Sequence, residues 1–198
     1  MTNEEILKEK ISSVRPFGDS FEKRAFSRWQ SLAKPLGGLG RLEKIVCQLA
    51  VVQETSFPTV ARRALAIFCA DNGIVEEGVS QTDSSVTKVV FENMKVGKSS
   101  VCCMAEVANC DVFPFDVGIS PNGTANFLKG DAMTREDCCS SILKGISIAE
   151  ELSRNYDIFA TGEMGIGNTT TASAITSVLL GREPEEVTGR GAGLSADG

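Results

Sequence analysis

The segment over residues 162–171, which reads GEMGIGNTTT, constrains the fold of this chain more than any other. It joins a short apolar run at residues 156–160, typical of a buried strand, to a helix-like run at residues 172–180 that Gly181 would close. The first N–H groups of a helix have no intrahelical partners, and the helix dipole makes that end positive. Because glycines let an anion approach the main chain closely, the segment predicts a phosphate-binding cradle of free amides at a helix N-terminus.

The spacing of these glycines separates the segment from two common nucleotide-binding motifs. It is GxxGxG followed by Asn-Thr-Thr-Thr, whereas a dinucleotide fingerprint has GxGxxG and a Walker A loop has a lysine after its last glycine. Hydrolysis of nucleoside triphosphates is therefore disfavoured. The alternative to a phosphate site is an ordinary glycine-rich turn that is capped by an asparagine or a threonine.

The first sixty residues are predicted to be helical. Apolar residues recur there at helical spacing in three segments, residues 2–14, 20–32 and 41–53. The character changes at residues 64–70, a continuous apolar run typical of a parallel strand that is covered on both faces. A helical subdomain with its connector over residues 1–60 and an α/β domain over residues 61–198 are therefore expected.

Two further strands are predicted, at residues 111–115 and at residues 156–160. Pro114 lies in the first of them and indicates either an interrupted ladder or an edge position, because proline cannot donate a ladder hydrogen bond. Strands that alternate with helices indicate a parallel sheet. The expected fold class is therefore α/β, a Rossmann-like parallel sheet with flanking helices, plus the small N-terminal helical subdomain.

Capping and breaking residues define the helices predicted between the strands. Asp83 is expected to cap a helical stretch that breaks at Gly97, and Thr134 with Asp137 forms a capping-box signal for a helix that ends near residue 154. The predicted strands end in polar residues and glycines, at residues 71–73, 116–118 and 162–167. Because open α/β sheets bind ligands at the carboxyl ends of their strands, these three ends together predict a binding site.

A second glycine cluster, GRGAG at residues 189–193, brings a cation as well as backbone amides. The guanidinium of Arg190 can donate a bidentate pair of hydrogen bonds to a phosphate or a carboxylate. The alternative interpretation is a surface arginine in a flexible loop.

Composition and charge argue against several classes of function. With 20 lysines and arginines against 26 acidic residues, the net charge is −6 and no dense basic run occurs, so a nucleic-acid partner is not expected. The apolar runs are too short for a membrane span, and residues 1–5 lack the basic start of a secretion signal. The expected location is the cytoplasm, with no membrane partner.

The inventory of reactive side chains is limited. The chain has no histidine, and its seven cysteines form no CxxC pair, so neither a metal site nor an imidazole-assisted nucleophile is expected. The cysteines are predicted to be reduced and packed as small apolar residues. Carboxylates, lysines and backbone dipoles remain as the groups available for chemistry.

Five segments, taken in order, resemble the nicotinate-nucleotide:dimethylbenzimidazole phosphoribosyltransferases. They are KPLGGLGRLE, ADNGI with EGVS, DVG, GEMGIGNTT and GRGAGL, and the resemblance runs over about residues 34–198. It implies a homodimeric enzyme with a Rossmann-like sheet and a small helical domain. Such an enzyme transfers the phosphoribosyl group of nicotinate mononucleotide to dimethylbenzimidazole or a related benzimidazole-type base. The products are nicotinate and α-ribazole 5′-phosphate, the nucleotide of the lower ligand in cobalamin biosynthesis.

The resemblance also implies roles for individual residues. The phosphate and ribose of the nucleotide are expected to contact two groups of residues, Gly165, Ile166, Gly167, Asn168 and Thr169, and Gly189, Arg190 and Gly191. The pocket for the aromatic base is expected to include Gly78, Val79 and Ser80. Neither a cofactor nor a metal ion is implied.

Glu163 is expected at the reaction centre. Breaking an N-glycosidic bond builds positive charge on the ribose, which a nearby carboxylate stabilises, while a second carboxylate removes a proton from the incoming base. The alternative for Glu163 is an acidic residue that interacts with a helix dipole.

Some features depart from the family pattern. Asn72, Gly38 and Asp83 stand where members usually carry histidine, serine and proline, and the family's general-base glutamate lies beyond the equivalent of Gly198. The chain is therefore expected to bind the phosphate end of the nucleotide weakly and to turn over little or nothing. Two alternatives stay open. One is a non-catalytic module that binds a nucleotide or a partner subunit, and the other is a phosphosugar enzyme of different specificity.

Overall fold

The computed structural model describes residues 1–18 and 20–191. The chain divides into two compact units, Met1–Arg62 and Arg63–Gly198. The first contains three helices in its described part, and the second contains the sheet. None of the helices in the described ranges is long and apolar enough to cross a membrane.

The three helices of the first unit are α1, α2 and α3, at Asn3–Ser13, Ser20–Ser31 and Arg41–Val52. The predicted helices are confirmed to within one residue at each end. Thr2 begins α1 with a capping box, since its hydroxyl accepts from the amide of Glu5 while the Glu5 carboxylate accepts from the amide of Thr2. Three buried small residues, Ala25, Cys47 and Ala50, pack with Trp29 to form the core between α2 and α3.

The second unit is built on a three-stranded parallel sheet with the strand order β2-β1-β3. Its strands are β1 (Arg63–Ala70), β2 (Asp111–Gly118) and β3 (Ile158–Met164). The predicted α/β class with a parallel sheet and flanking helices is confirmed. Pro114 lies in β2 at one edge of the sheet, opposite Ile67 of the central strand, so the edge position is confirmed among the two alternatives expected for it.

Five helices and one short 3₁₀ helix, Gly73–Glu77, accompany the sheet in the described part of this unit. The helices are α4 (Ser85–Lys95), α5 (Ser100–Val107), α6 (Arg135–Asn155), α7 (Asn168–Leu180) and α8 (Pro184–Val187). The predicted break between α4 and α5 is confirmed, and Gly97 has a φ of +72° there. The capping box of Thr134 and Asp137 at the start of α6 and the left-handed glycine cap at Gly181 are confirmed as well.

Helices cover both faces of β1, as its continuous apolar sequence requires. Ala64 and Ala66 pack against Ile148 and Leu152 of α6. On the other face, Ile67 and Cys69 pack against Met94 of α4, with Ile119 beside them. The central strand is therefore largely buried, and its carboxyl end is fixed firmly beside the ends of its two neighbours.

The sequence-based boundaries of β3 and α7 were wrong. Tyr156 belongs to the C-terminal cap of α6, with its amide donating to the carbonyl of Leu152 over 2.9 Å, and the strand begins two residues later. The strand also continues to Met164, because Gly162 and Met164 pair with Ile67 and Cys69 of β1. The helix begins at Asn168 rather than at residue 172, so the threonines after Asn168 form its first turn.

Candidate active site

The glycine-rich connection between β3 and α7, here called the glycine loop (residues 165–167), packs tightly on the end of β1. A Cβ atom on Gly165 would overlap the carbonyl oxygen of Ala70 and lie 2.8 Å from Nδ2 of Asn72. Gly167 has a φ of +82°, and a Cβ there would lie 2.8 Å from Cγ2 of Val75. Glycine is therefore required at both positions for packing, independently of any ligand.

Several amides of this loop already have acceptors within the protein. The amide of Ile166 donates to Oγ1 of Thr87 over 3.1 Å, and the amide of Asn168 donates to the carbonyl of Gly165 over 3.0 Å. The amide of Thr170 donates to the carbonyl of Gly167. Among the hydrogen bonds of the described residues, none has the amide of Gly165, Gly167 or Thr169 as its donor. Gly165 is buried, so the cradle expected from the sequence is narrowed to the amides of Gly167 and Thr169, whose residues are partly or fully exposed.

A cleft of about 400 Å³, here called the loop cleft, lies over the first turn of α7. Most of the residues expected to bind the nucleotide or the base line it, namely Val79, Ser80, Gly165, Ile166, Gly167, Asn168, Thr169, Gly189, Arg190 and Gly191. Gly78 does not line the cleft, and it caps the 3₁₀ helix in a left-handed conformation directly before Val79. One concave surface thus gathers residues from three separate parts of the sequence.

The second glycine cluster lies against the first turn of α7. A Cβ on Gly191, whose φ is +60°, would lie 3.0 Å from Oγ1 of Thr169. The hydroxyl of Ser173 donates to the carbonyl of Val187 over 3.3 Å, which ties α7 to the segment that leads into the cluster. The last two residues of the cluster, Ala192 and Gly193, lie outside the described residues.

Glu163 is exposed on β3 next to the loop cleft. Its Oε1 accepts a hydrogen bond of 2.8 Å from Nδ2 of Asn168, which lines the cleft. Glu163 also borders a second cleft of about 460 Å³, whose lining is mainly apolar and includes Leu65, Ile67, Val90, Met94, Val101 and Met164. The carboxylate therefore lies beside a glycine-rich cleft that contains several hydroxyl groups and beside a second, mainly apolar cleft.

The other two predicted strand ends play different parts. The carboxylate of Asp116 accepts from the amides of Gly118 and Ile119, and Oδ2 of Asp71 accepts from the amide of Ser120 over 2.7 Å. These contacts shape the turn after β2. The β1 end meets the glycine loop through Asn72. Within residues 1–18 and 20–191, no three acidic or cysteine side chains come together as a metal site.

Asp83 acts at the start of α4. Its Oδ1 accepts from the amide and the hydroxyl of Ser85, and these two hydrogen bonds lower the pKa of the Asp83 carboxyl. The N-cap residue itself is Ser84, so the predicted capping function of Asp83 is fulfilled from one position earlier.

Comparison with known proteins identifies the family to which this chain belongs. Residues 14–198 match the phosphoribosyltransferase family. The nicotinate-nucleotide--dimethylbenzimidazole phosphoribosyltransferase of Ruminiclostridium cellulolyticum is 40% identical over 97% of this chain. The enzyme of the same name from Acetivibrio thermocellus is 44% identical over 85% of it. The chain belongs to this phosphoribosyltransferase family.

Solved structures of similar fold support the same family assignment. The crystal structure of CobT from Thermus thermophilus matches 89% of this chain with a TM-score of 0.83 and 36% sequence identity. The chain spans 58% of the length of that structure and 58% of the length of the Ruminiclostridium cellulolyticum relative. The chain therefore corresponds to somewhat more than half of the length of each of these two relatives.

Sequence reasoning missed several residues of the candidate site. Thr170, Ser173 and Thr188 line the loop cleft, and the first two belong to the hydroxyl-rich start of α7, which was a usable signal. Asn72 and Thr87 hold the glycine loop without lining the cleft. Asn72 was recognised at the end of a strand, but its partners lie more than ninety residues away in the sequence. No local pattern marks Thr87.

Proposed function

We propose that this chain binds nicotinate mononucleotide and takes part in the transfer of its phosphoribosyl group to dimethylbenzimidazole or a related benzimidazole-type base. The products are nicotinate and α-ribazole 5′-phosphate, which belongs to cobalamin biosynthesis. One observation carries the proposal. The glycine loop, three residues of the second glycine cluster, and Val79 with Ser80 all line the same loop cleft. Relatives of this name at 40% and 44% identity support it.

The phosphate of the nucleotide is proposed to bind at the start of α7. The amides of Gly167 and Thr169 donate to no acceptor in the described residues and belong to residues that line the loop cleft, and the helix of 13 residues adds its positive end. Arg190 lies among the residues that line the same cleft and brings a guanidinium for the phosphate oxygens. Ile166 and Asn168, whose amides have acceptors in the protein, contribute by shaping the loop.

Glu163 is proposed to stabilise the transition state of the transfer. The bond between the anomeric carbon and the pyridine nitrogen breaks, and its electron pair goes to nicotinate while positive charge develops on the ribose. A carboxylate 2.8 Å from Asn168, one residue from the first amide of the phosphate site, is suitably placed to oppose that charge. The lone pair of a benzimidazole nitrogen forms the new bond with inversion, and a second carboxylate takes the proton from the other nitrogen of the base.

The aromatic base is proposed to bind beside the segment over residues 78–80. Val79 and Ser80 line the loop cleft, and Gly78 turns the chain just before them with a φ of +75°. An apolar side chain and a hydroxyl suit a flat heterocycle with one polar edge. A cytoplasmic location and a homodimer complete the proposal, and light scattering coupled to size exclusion tests the second of these.

Binding of nicotinate mononucleotide, observed by ¹H–¹⁵N NMR, tests the proposed function. Saturable shifts of the Gly167 and Thr169 amides, which inorganic phosphate reproduces in part, would support it. No shift of these amides at millimolar nucleotide would contradict it. Release of nicotinate in the presence of dimethylbenzimidazole, followed by chromatography, separates the enzyme from a non-catalytic nucleotide-binding module, for which binding is expected without release.

A further inference from the structure

We propose that Asn72 and Thr87 are positioning residues that fix the glycine loop in its ligand-binding conformation. The inference rests on the proposed function, because it concerns the same phosphate site. Neither side chain lines the loop cleft, so both act on a bound nucleotide only through the loop.

The backbone of Ile166 is held on both of its polar groups. Its amide donates to Oγ1 of Thr87 over 3.1 Å, and its carbonyl accepts from Nδ2 of Asn72 over 3.3 Å. Ile166 lies between Gly165 and Gly167, two residues whose backbone has unusual conformational freedom in an isolated chain. Two hydrogen bonds on the residue between them remove much of that freedom from the loop.

Asn72 is itself held in one orientation. Its Oδ1 accepts from the hydroxyl of Thr171 over 2.9 Å, and its Nδ2 also lies 3.4 Å from the carbonyl oxygen of Ala70. Thr171 belongs to the first turn of α7. One side chain at the end of β1 therefore connects the loop that precedes α7 with the turn that follows it. The amides of Gly167 and Thr169, which lie between these two points, keep a fixed separation.

Thr87 provides a rigid anchor on the other side of the loop. It is completely buried in α4, with 0% of its surface exposed. A buried threonine has little rotational freedom at χ1, and its hydroxyl provides an acceptor for the amide of the half-buried Ile166. The loop is thus ordered before a ligand arrives, so binding does not have to supply the cost of ordering two glycines.

Matched substitutions test this arrangement. Thr87→Val keeps the shape of the side chain and removes the hydroxyl that accepts from the Ile166 amide, whereas Thr87→Ser keeps that hydroxyl. Asn72→Leu removes the side-chain amide that donates to the Ile166 carbonyl. Thr176→Val is the control, because the Thr176 hydroxyl donates to the carbonyl of Ala172 within α7 and does not reach the loop. For each protein, three quantities are measured: the dissociation constant for nicotinate mononucleotide, the hydrogen-exchange rate of the Ile166 amide, and the melting temperature.

Thr87→Val and Asn72→Leu are expected to weaken nucleotide binding by about tenfold or more. In Thr87→Val, exchange of the Ile166 amide is expected to accelerate by at least about tenfold. Thr87→Ser and Thr176→Val are expected to bind within about twofold of the parent. Restoration by serine distinguishes positioning from general destabilisation, and if Thr87→Val does not fold, Asn72→Leu with Thr87→Ser decides the question.

Two results would overturn the inference. One is a folded Thr87→Val or Asn72→Leu protein that binds nicotinate mononucleotide as tightly as the parent, and the other is an unchanged exchange rate for Ile166 in Thr87→Val. Failure of the parent chain to bind the nucleotide would instead contradict the proposed function. In that case the exchange rate of the Ile166 amide still decides whether Thr87 orders the loop.

Discussion

The side-chain amide of Asn168 donates a hydrogen bond of 2.8 Å to the carboxylate of Glu163. It joins the penultimate residue of β3 to the first residue of α7 across the glycine loop. The residue proposed to oppose charge on the ribose is thereby tied to the helix end proposed to bind the phosphate. In nicotinate mononucleotide the ribose is bonded directly to the phosphate, so the residues proposed for these two parts of the ligand have to be close together.

Release of nicotinate by the parent is expected to be slow, and Glu163→Gln is expected to lower its single-turnover rate by about a further 100-fold. Glutamine keeps an oxygen that can accept from Asn168, but it lacks the negative charge that opposes the developing positive charge on the ribose. Affinity for nicotinate mononucleotide is expected to stay within about threefold, because the substitution leaves the amides of Gly167 and Thr169 in place. Single-turnover release with dimethylbenzimidazole and titration calorimetry measure the two quantities. Equal rates of release by parent and variant would instead favour the alternative in which Glu163 only interacts with a helix dipole.

Gly167→Ala is expected to abolish nucleotide binding and to destabilise the fold. A left-handed φ costs a non-glycine residue about 1–2 kcal/mol, and the collision with Val75 adds about 1–3 kcal/mol. Gly181→Ala is the matched control, because Gly181 has a φ of +59° but no atom within 4 Å of its Cβ position. The control should lose only the backbone contribution and should bind normally. Urea unfolding and titration calorimetry compare the two variants, and equal losses of stability would contradict the packing argument.

Local sequence patterns predicted most of the fold. The helix periodicity of the first unit, the capping box of Thr134 and the apolar run of β1 each specify an element through neighbours a few residues away. Pro114 indicated that β2 either lies at an edge or has an interrupted ladder, and the first of these is observed. In all of these cases the determining interactions are local, or the pattern reflects burial on both faces of a strand.

Long-range contacts explain what the sequence did not predict. The glycine and glutamate at the end of β3 have low strand propensity, and they are extended because they pair with β1. The hydrogen bond from the Ile166 amide to the Thr87 hydroxyl joins residues that are 79 positions apart in the sequence. The motif therefore indicated where the candidate site lies, whereas the amides available to a ligand were evident only from the tertiary structure.

The ion pair of Lys34 and Glu43 in the first unit predicts a loss of stability in acid. Nζ of Lys34 lies 2.8 Å from Oε1 of Glu43, which also accepts from the amide of Leu39, and these contacts lower the pKa of Glu43 below its ordinary value of 4.5. A lowered pKa in the folded state stabilises the protein above the unfolded pKa, and this stabilisation is lost as the pH falls through the folded value.

Glu43→Gln should therefore be less stable than the parent near neutral pH, and the difference should shrink in acid, below about pH 4. Denaturant unfolding at a series of pH values measures it. Glu92→Gln serves as the control, because Glu92 pairs with Lys95 at the surface, where both side chains are about half exposed. A difference between parent and Glu43→Gln that stayed constant with pH would show that the charge of Glu43 is not responsible.

Leu152→Ala is expected to cost about 2–5 kcal/mol in the free energy of unfolding, because Leu152 is 6% exposed and packs with Ala64 and Ala66 under the sheet. Leu179→Ala is the matched substitution in α7, where the leucine is 78% exposed, and it should change stability by less than about 0.5 kcal/mol. Urea unfolding compares them. A large loss for Leu179→Ala would mean that this side of α7 is covered in solution.

The cysteines are expected to differ widely in their reaction with iodoacetamide. Cys69 is completely buried in β1, and burial, with a smaller contribution from Asp116, raises the pKa of its thiol to about 11. Since only the thiolate reacts, Cys69 combines a small thiolate fraction with no access for the reagent. Cys103 and Cys138 are exposed on helices, so the reagent can reach them.

In the native protein, Cys103 and Cys138 should be modified first, and Cys69 should react at least about 100-fold more slowly, at a rate set by opening of the sheet. Mass spectrometry of peptides after timed quenching measures each site. Addition of guanidinium should make the rates similar, because the difference arises from the fold and not from the local sequence. Rapid native modification of Cys69 would instead show that β1 opens easily, and the glycine loop packed on the end of β1 would then lose its rigid support.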